Sequence, residues 1–254
     1  MLEVYQIPCL SDNYGYLIHD SVNNLTATID TPEVGPINQA LEEKGWTLTH
    51  ILNTHHHFDH AGGNLELKSR WNCIIVGSKP DAKRIPGIDI ELSDGETYQF
   101  GDHVATVFDV SGHTLGHIAF HFAEDDVLFS GDALFALGCG RLFEGSPDQM
   151  WSSLSKLKAL PDSTTVYCAH EYTAANAAFA LSVEPDNAAL RERVQEIKSL
   201  RADNLPTVPS NLGVEKATNP FLRPDSGALQ KTLNMTGEPL VAVFAETRRR
   251  KDNF

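Results

Sequence analysis

One segment constrains this chain more than any other. Thr54-His55-His56-His57-Phe58-Asp59-His60 gathers four of the eleven histidines around one aspartate. It follows a strand candidate, His50 to Asn53, so the side chains leave the end of an extended run. If the chain stays extended, His55, His57 and Asp59 point to one side by the two-residue period of a strand, while His60 turns with the chain toward a second position. One short segment then serves two neighbouring metal ions. A solvated polar loop is the competing reading, and the density of the H-x-H-x-D-H pattern weighs against it.

A catalytic divalent ion needs three or more protein ligands and an open position for water. Further donors stand at comparable places: Val104 to Val110 runs into Ser111-Gly112-His113, Val127 to Ser130 into Gly131-Asp132, and Thr165 to Ala169 into His170. Strand ends and their outgoing loops are where an open α/β sheet collects functional groups. Five His and two Asp suit a pair of ions, since imidazole favours zinc or iron and a carboxylate has two oxygens with which to bridge. Read singly, His113 is an ordinary strand-end histidine, Asp132 a turn or cap residue, and His170 a surface group or a partner of Cys168. A cysteine nucleophile lacks a third orienting group near that pair. His56 is expected to point away from its neighbours and His117 to stand at best behind the ligands. His19, His50, His103 and His121 receive no role.

The rest of the composition narrows the class. A length of 254 residues allows one large domain or a main domain with a companion, and 41% hydrophobic with 21% charged residues is ordinary for a globular chain. The longest apolar stretches, such as Leu240 to Ala245, fall far short of the roughly 20 residues that cross a bilayer. The opening MLEVYQIPCL lacks an export signal, so the expected address is the cytoplasm. A formal net charge of −14 repels a phosphate backbone. Basic residues gather only at Arg248-Arg249-Arg250-Lys251, which on its own reads as a solvated tail. The four cysteines, Cys9, Cys73, Cys139 and Cys168, form no C-x-x-C pair and are expected to be reduced and structural.

Strand candidates fall at 13–19, 25–30, 48–53, 73–76, 104–110, 117–122, 126–130 and 164–168, bounded by Gly, Asp, Asn or Pro. Helix candidates fall at 36–44, 61–70 and 147–159, the first and last opening at a proline. From about residue 171 the pattern turns helical: 173–183 is Ala-rich, 186–200 spaces Leu190, Val194 and Ile197 by three and four, and 227–250 is helical in parts. Prolines at 206, 209, 220 and 224 break this part into pieces. The expectation is a mixed α/β domain beside a smaller helical one.

The pattern T-H-x-H-x-D-H, then G-H, then G-D, then a late His resembles the metallo-β-lactamase superfamily. Within it the chain is similar to the glyoxalase II (hydroxyacylglutathione hydrolase) family: Gly138 to Gly145 (GCGRLFEG) resembles the loop after the bridging Asp, His170-Glu171-Tyr172-Thr173 the last-ligand segment, and Asn219 to Arg223 (NPFLR) with the ending R-x-x-K-D-x-F the C-terminal part. The resemblance implies a four-layer αββα sandwich over 1–170 as catalytic domain and a helical glutathione-binding domain over 171–254. It implies hydrolysis of S-D-lactoylglutathione to D-lactate and glutathione by a metal-bridging hydroxide, the second step of methylglyoxal detoxification. Carried over by position, His55, His57 and His113 bind one ion, Asp59, His60 and His170 the other, and Asp132 bridges. Asp59 and Asp132 are the catalytic carboxylates. The implied cofactor is two divalent ions, zinc foremost, with iron or manganese as alternatives. Glutathione contacts fall on Arg141, Phe143, Tyr172, Arg248 and Lys251. Arg141 stands where the family pattern also has Lys, and Phe143 where it also has Tyr, which removes a hydroxyl. The implied partner is a small glutathione thioester, with no nucleic acid, no membrane and a monomeric chain. Lactonase, β-lactam hydrolase, one-iron persulfide dioxygenase, nuclease and inactive scaffold readings share parts of the metal motif. The full ligand set and the basic ending favour the thioester, and the acidic charge weighs against a nuclease.

Overall fold

Every residue of Asn13–Asp20 is buried, as expected of a strand covered on both faces. The computed structural model that shows this describes residues 1–254. Its contacts divide the chain into two compact units, Met1–Asp109 with Thr114–Gly131, and Val110–His113 with Asp132–Phe254.

The first unit builds one sheet from β1 (Glu3–Cys9), β2 (Asn13–Asp20), β3 (Leu25–Ile29), β4 (His50–Leu52), β5 (Ile74–Ser78) and β6 (Ile90–Leu92), in that spatial order. β1 to β3 form an antiparallel meander and β3 to β6 run parallel. The parallel crossovers carry α1 (Val34–Lys44), α2 (Phe58–Ala61) and α3 (Asn64–Trp71), because parallel strands need a long connection to return. Ile37 and Leu41 of α1 and Leu67 of α3 pack with Leu17, Ile51 and Ile75 in one apolar cluster. A second, antiparallel sheet runs through β7 (Thr97–Phe100), β8 (His103–Asp109), β9 (Ile118–Phe122) and β10 (Val127–Gly131). Tyr16 of β2 meets Phe129 of β10 with ring centroids 5.7 Å apart, so these two sheets pack face to face.

The second unit holds the short antiparallel hairpin β11 (Leu134–Phe135) and β12 (Gly138–Cys139), then α4 (Pro147–Lys158), β13 (Thr165–Cys168), α5 (Thr173–Val183), α6 (Ala188–Ala202), β14 (Ser210–Asn211), α7 (Leu212–Thr218), α8 (Gly227–Leu233) and α9 (Leu240–Asp252). Leu137, at the tip of the hairpin, is buried with Ala177 and Ala180 of α5 and Leu190, Val194 and Ile197 of α6. Phe244 of α9 packs against Trp151 of α4 and Phe221. No helix is long and apolar enough to cross a membrane.

Several expectations shift. Pro147 does open α4, inside a capping box in which Ser146 and Gln149 satisfy each other's backbone N–H groups. Pro36, by contrast, lies inside the first turn of α1, which begins at Val34. The single helix expected over 61–70 is two, split at Gly62-Gly63. β1, β6, β7, β11, β12 and β14 had no counterpart among the strand candidates. The basic ending is not a solvated tail, since Arg248 lies buried in α9. All four cysteines are buried thiols outside any disulfide. Burial pushes Cys9 and Cys139 up to about 11 and Cys168 up to about 12, and it raises Cys73 as well.

Candidate metal centre

In the first unit the motif leaves β4 and turns helical at Phe58, so the extended run ends at His57, and Asp59 and His60 stand on α2. His55 and His57 still converge: His55 Nε2 faces His57 Nδ1 at 3.0 Å. The His60 ring lies 4.0 Å from that of His55, and its Nε2 is 3.5 Å from Asp59 Oδ2. Asn13 Nδ2 donates to the same Asp59 oxygen at 3.1 Å. His56 points away, to Asp81 at 2.8 Å. His117 is buried and stacked on His55 at 4.5 Å, a wall behind the ligand candidate.

Asp30, which the sequence reading passed over, organises this half. It follows β3 with φ of 58° and accepts three hydrogen bonds of 2.8 Å, from the Thr54 N–H, the Thr54 hydroxyl and His60 Nδ1. A carboxylate only accepts, so His60 carries its proton on Nδ1 and its lone pair on Nε2. The Thr54 hydroxyl spends its proton on Asp30 and is left to accept from His55 Nδ1 at 3.1 Å. His55 therefore also presents a bare Nε2. Orienting partners of this kind fix the tautomer that a metal requires. The signal that marks Asp30 in sequence is its place straight after a strand, the same rule that found His113, Asp132 and His170. Gly131 closes this half: at φ of 51°, a side chain there would run into Thr54 and His117.

The second unit brings His113, Asp132 and His170 together. Asp132 directs Oδ2 to His113 Nε2 and Oδ1 to His170 Nε2, each at 3.4 Å. Each oxygen of this one carboxylate thus faces a different imidazole, the disposition a bridging ligand requires. The Arg141 carbonyl accepts from His113 Nδ1 at 2.9 Å, so this histidine too presents a bare Nε2. All three residues are nearly inaccessible. Histidines with one nitrogen anchored and the other lone pair turned toward carboxylate or imidazole are a donor set that fits divalent ions.

The residues expected to meet glutathione also lie in this unit. Tyr172 stacks on His170 with its ring 4.6 Å away and Phe143 sits 5.1 Å from His113, Phe143 largely and Tyr172 partly exposed. Burial pushes the Lys251 ammonium down, and Arg248 and Arg141 push it further. Arg248 does more than the sequence suggested: it donates to the Cys139 carbonyl at 3.0 Å, pairs with Asp252 at 2.6 Å and lies over the Phe221 ring.

An α/β sandwich with His and Asp donors at its strand ends defines a metallo-β-lactamase class protein, and the model described as metallo-beta-lactamase superfamily matches residues 25–170. The fold is the metallo-β-lactamase fold with a C-terminal helical part, and it is shared with solved structures. ETHE1 from Myxococcus xanthus is 25% identical at a TM-score of 0.67, over 99% of this chain and all of that one. TTHA1623 in a di-iron-bound form is 25% identical at 0.60, over 83% and 95% of the two chains. The model described as hydroxyacylglutathione hydrolase C-terminus matches residues 171–254. The hydroxyacylglutathione hydrolase of Methylococcus capsulatus is 58% identical, and that of Maricaulis maris 53%, each over all of this chain and 99% of the relative. The chain belongs to the hydroxyacylglutathione hydrolase family. Its fold and its His and Asp cluster point to a dinuclear metal site.

Proposed function

We propose that the chain hydrolyses S-D-lactoylglutathione, and related 2-hydroxyacyl thioesters, to the hydroxy acid and glutathione. His55, His57 and His113 hold one divalent ion, Asp59, His60 and His170 the other, and Asp132 bridges them. Zinc is the proposed metal, with iron or manganese accommodated by the same donors. Residues 1–170 carry the chemistry and 171–254 the substrate-binding helices. The proposed setting is a cytoplasmic monomer.

The observation that carries this reading is the disposition of Asp132, one oxygen toward each of two imidazoles. Such ions supply positive charge for a developing oxyanion and lower the pKa of water from 15.7 toward ~7. The chain's own residues do the rest. Asp30, Thr54 and the Arg141 carbonyl hold three imidazoles with bare Nε2 atoms inward. Tyr172 and Phe143 offer apolar faces beside His170 and His113 to the acyl-thioester region. Arg141, Arg248 and Lys251 offer positive charge, only part of which Asp252 offsets at Arg248, and glutathione brings two carboxylates against one ammonium. The leaving thiol, with an ordinary pKa near 8.5, departs as thiolate without a dedicated acid.

The test is metal analysis of the purified protein alongside hydrolysis of S-D-lactoylglutathione. About two metal equivalents with turnover that chelation abolishes is the expected result. Metal-free protein with full turnover, or metal-loaded protein that consumes oxygen on a persulfide and leaves the thioester intact, rejects the reading.

A further inference from the structure

The hairpin Leu134–Cys139 is too short to hold itself, yet it joins the groups the reaction needs. Asp132 enters it, Arg141 leaves it, and the Arg141 carbonyl fixes His113. The Gly140 N–H closes its base on the Ala133 carbonyl at 3.2 Å, and a side chain at Gly140 would collide with the Asp132 carbonyl.

Its backbone is held by side chains from the helical segments that follow. Asn176 of α5 donates to the Ala136 carbonyl at 3.1 Å, and Arg248 of α9 to that of Cys139. Asn219, just after α7, donates to the carbonyls of Phe135 and Gly138 at 3.1 and 3.0 Å. These three clamps are all donors. Leu137 sits at the tip with φ of 57°, and its N–H needs an acceptor that neither strand provides. Glu215 of α7, fully buried, supplies it at 2.9 Å. The same carboxylate accepts from Asn219 Nδ2 at 3.1 Å, from the Ser210 hydroxyl and from Arg193. Four donors thus surround one acceptor-only group. The shell has no place for a side chain that donates.

We propose that Glu215, with Asn219 as its relay, is a positioning residue for the reaction: it locks the turn at Leu137 and thereby sets Asp132, His113 and Arg141 together. The inference rests on the functional reading above. It makes one buried ion pair in the helical part govern both turnover and substrate affinity, with no contact to substrate.

Glu215→Gln and Asn219→Ala are compared with Leu229→Ala, a buried truncation in α8 outside the clamp. Each protein is assayed for Tm, for kcat and KM well below that Tm, for metal content, and for the visible absorption of its Co2+-loaded form. Losing an orienting partner behind metal ligands typically costs about 10–100-fold in activity or metal affinity. Glu215→Gln and Asn219→Ala are expected to lose kcat on that scale, to raise KM through Arg141 and to alter the Co2+ spectrum. Leu229→Ala is expected to lower Tm alone. If Glu215→Gln lowers Tm in the same way but leaves kcat, KM and spectrum as in the wild type, Glu215 is only structural and the inference is overturned. Should Glu215→Gln not fold, Asn219→Ala decides by the same readouts. A wild-type protein that neither binds metal nor cleaves the thioester overturns the functional reading, and this inference with it.

Discussion

At the scale of single residues, the two constellations divide the work between donors and the groups that aim them. Asp132 meets two imidazoles, so Asp132→Ala is expected to lose both metal and turnover while keeping its far-ultraviolet circular dichroism; a variant retaining two metal equivalents removes the bridging role. Three hydrogen bonds from Thr54 and His60 depend on Asp30. Asp30→Asn replaces one accepting oxygen by a donor. A loss of about 10–100-fold in metal affinity is expected, measured by competition with a chelator. Arg248 and Lys251 separate two roles that their neighbourhood in sequence merges. Arg248→Ala strands the buried Cys139 carbonyl and should lower stability by about 1–3 kcal/mol as well as raising KM. Lys251 donates to the Ala175 carbonyl at 3.3 Å and lies over the Phe179 and Phe254 rings, with no buried carbonyl depending on it as Cys139 depends on Arg248, so Lys251→Ala should raise KM with a smaller change in denaturation midpoint than Arg248→Ala.

At the scale of elements, local rules work where the element is built from local interactions. The capping box that starts α4 is one case, and Ser146→Ala should cost about 1 kcal/mol in chemical denaturation with kcat unchanged. The candidate donors His113, Asp132 and His170 were singled out for a related reason: each stands just after a strand. β11 and β12 were not legible, because two-residue strands carry no periodicity and this hairpin is held by side chains 40 to 109 positions away in sequence, from Asn176 of α5 to Arg248 of α9. Asp30 and Glu215 escaped notice likewise. An acidic residue on a short helix is ordinary in sequence, and the place after a strand that marks Asp30 does not tell which neighbours donate to it. The same blindness made Arg248 look like part of a solvated run, although an aromatic ring and a backbone carbonyl enclose its guanidinium.

For the whole molecule, protonation sets the conditions under which the fold persists. Burial lowers His50 and His121 below the usual 6.5, so the unfolded chain takes up protons there that the folded chain refuses. Stability is accordingly full above pH 6.5 and declines as pH falls through it toward the lowered folded values. Glu246 acts in stronger acid, since hydrogen bonds from Arg249 and Arg250 hold it down to about 2. Its contribution is present above the ordinary carboxylate range and fades as pH approaches that value. Urea midpoints at pH 7.5 and 5.5 should therefore differ, and His50→Gln with His121→Gln should narrow the gap. The four sealed cysteines carry a different consequence. The proposed reaction liberates a thiol at every turnover, and the disulfide of that thiol exchanges with accessible protein thiolates. With all four cysteines buried, the chain offers that disulfide no accessible thiolate to exchange with, so incubation with oxidised glutathione should leave its intact mass unaltered: a catalyst proof against capping by the disulfide of its own product.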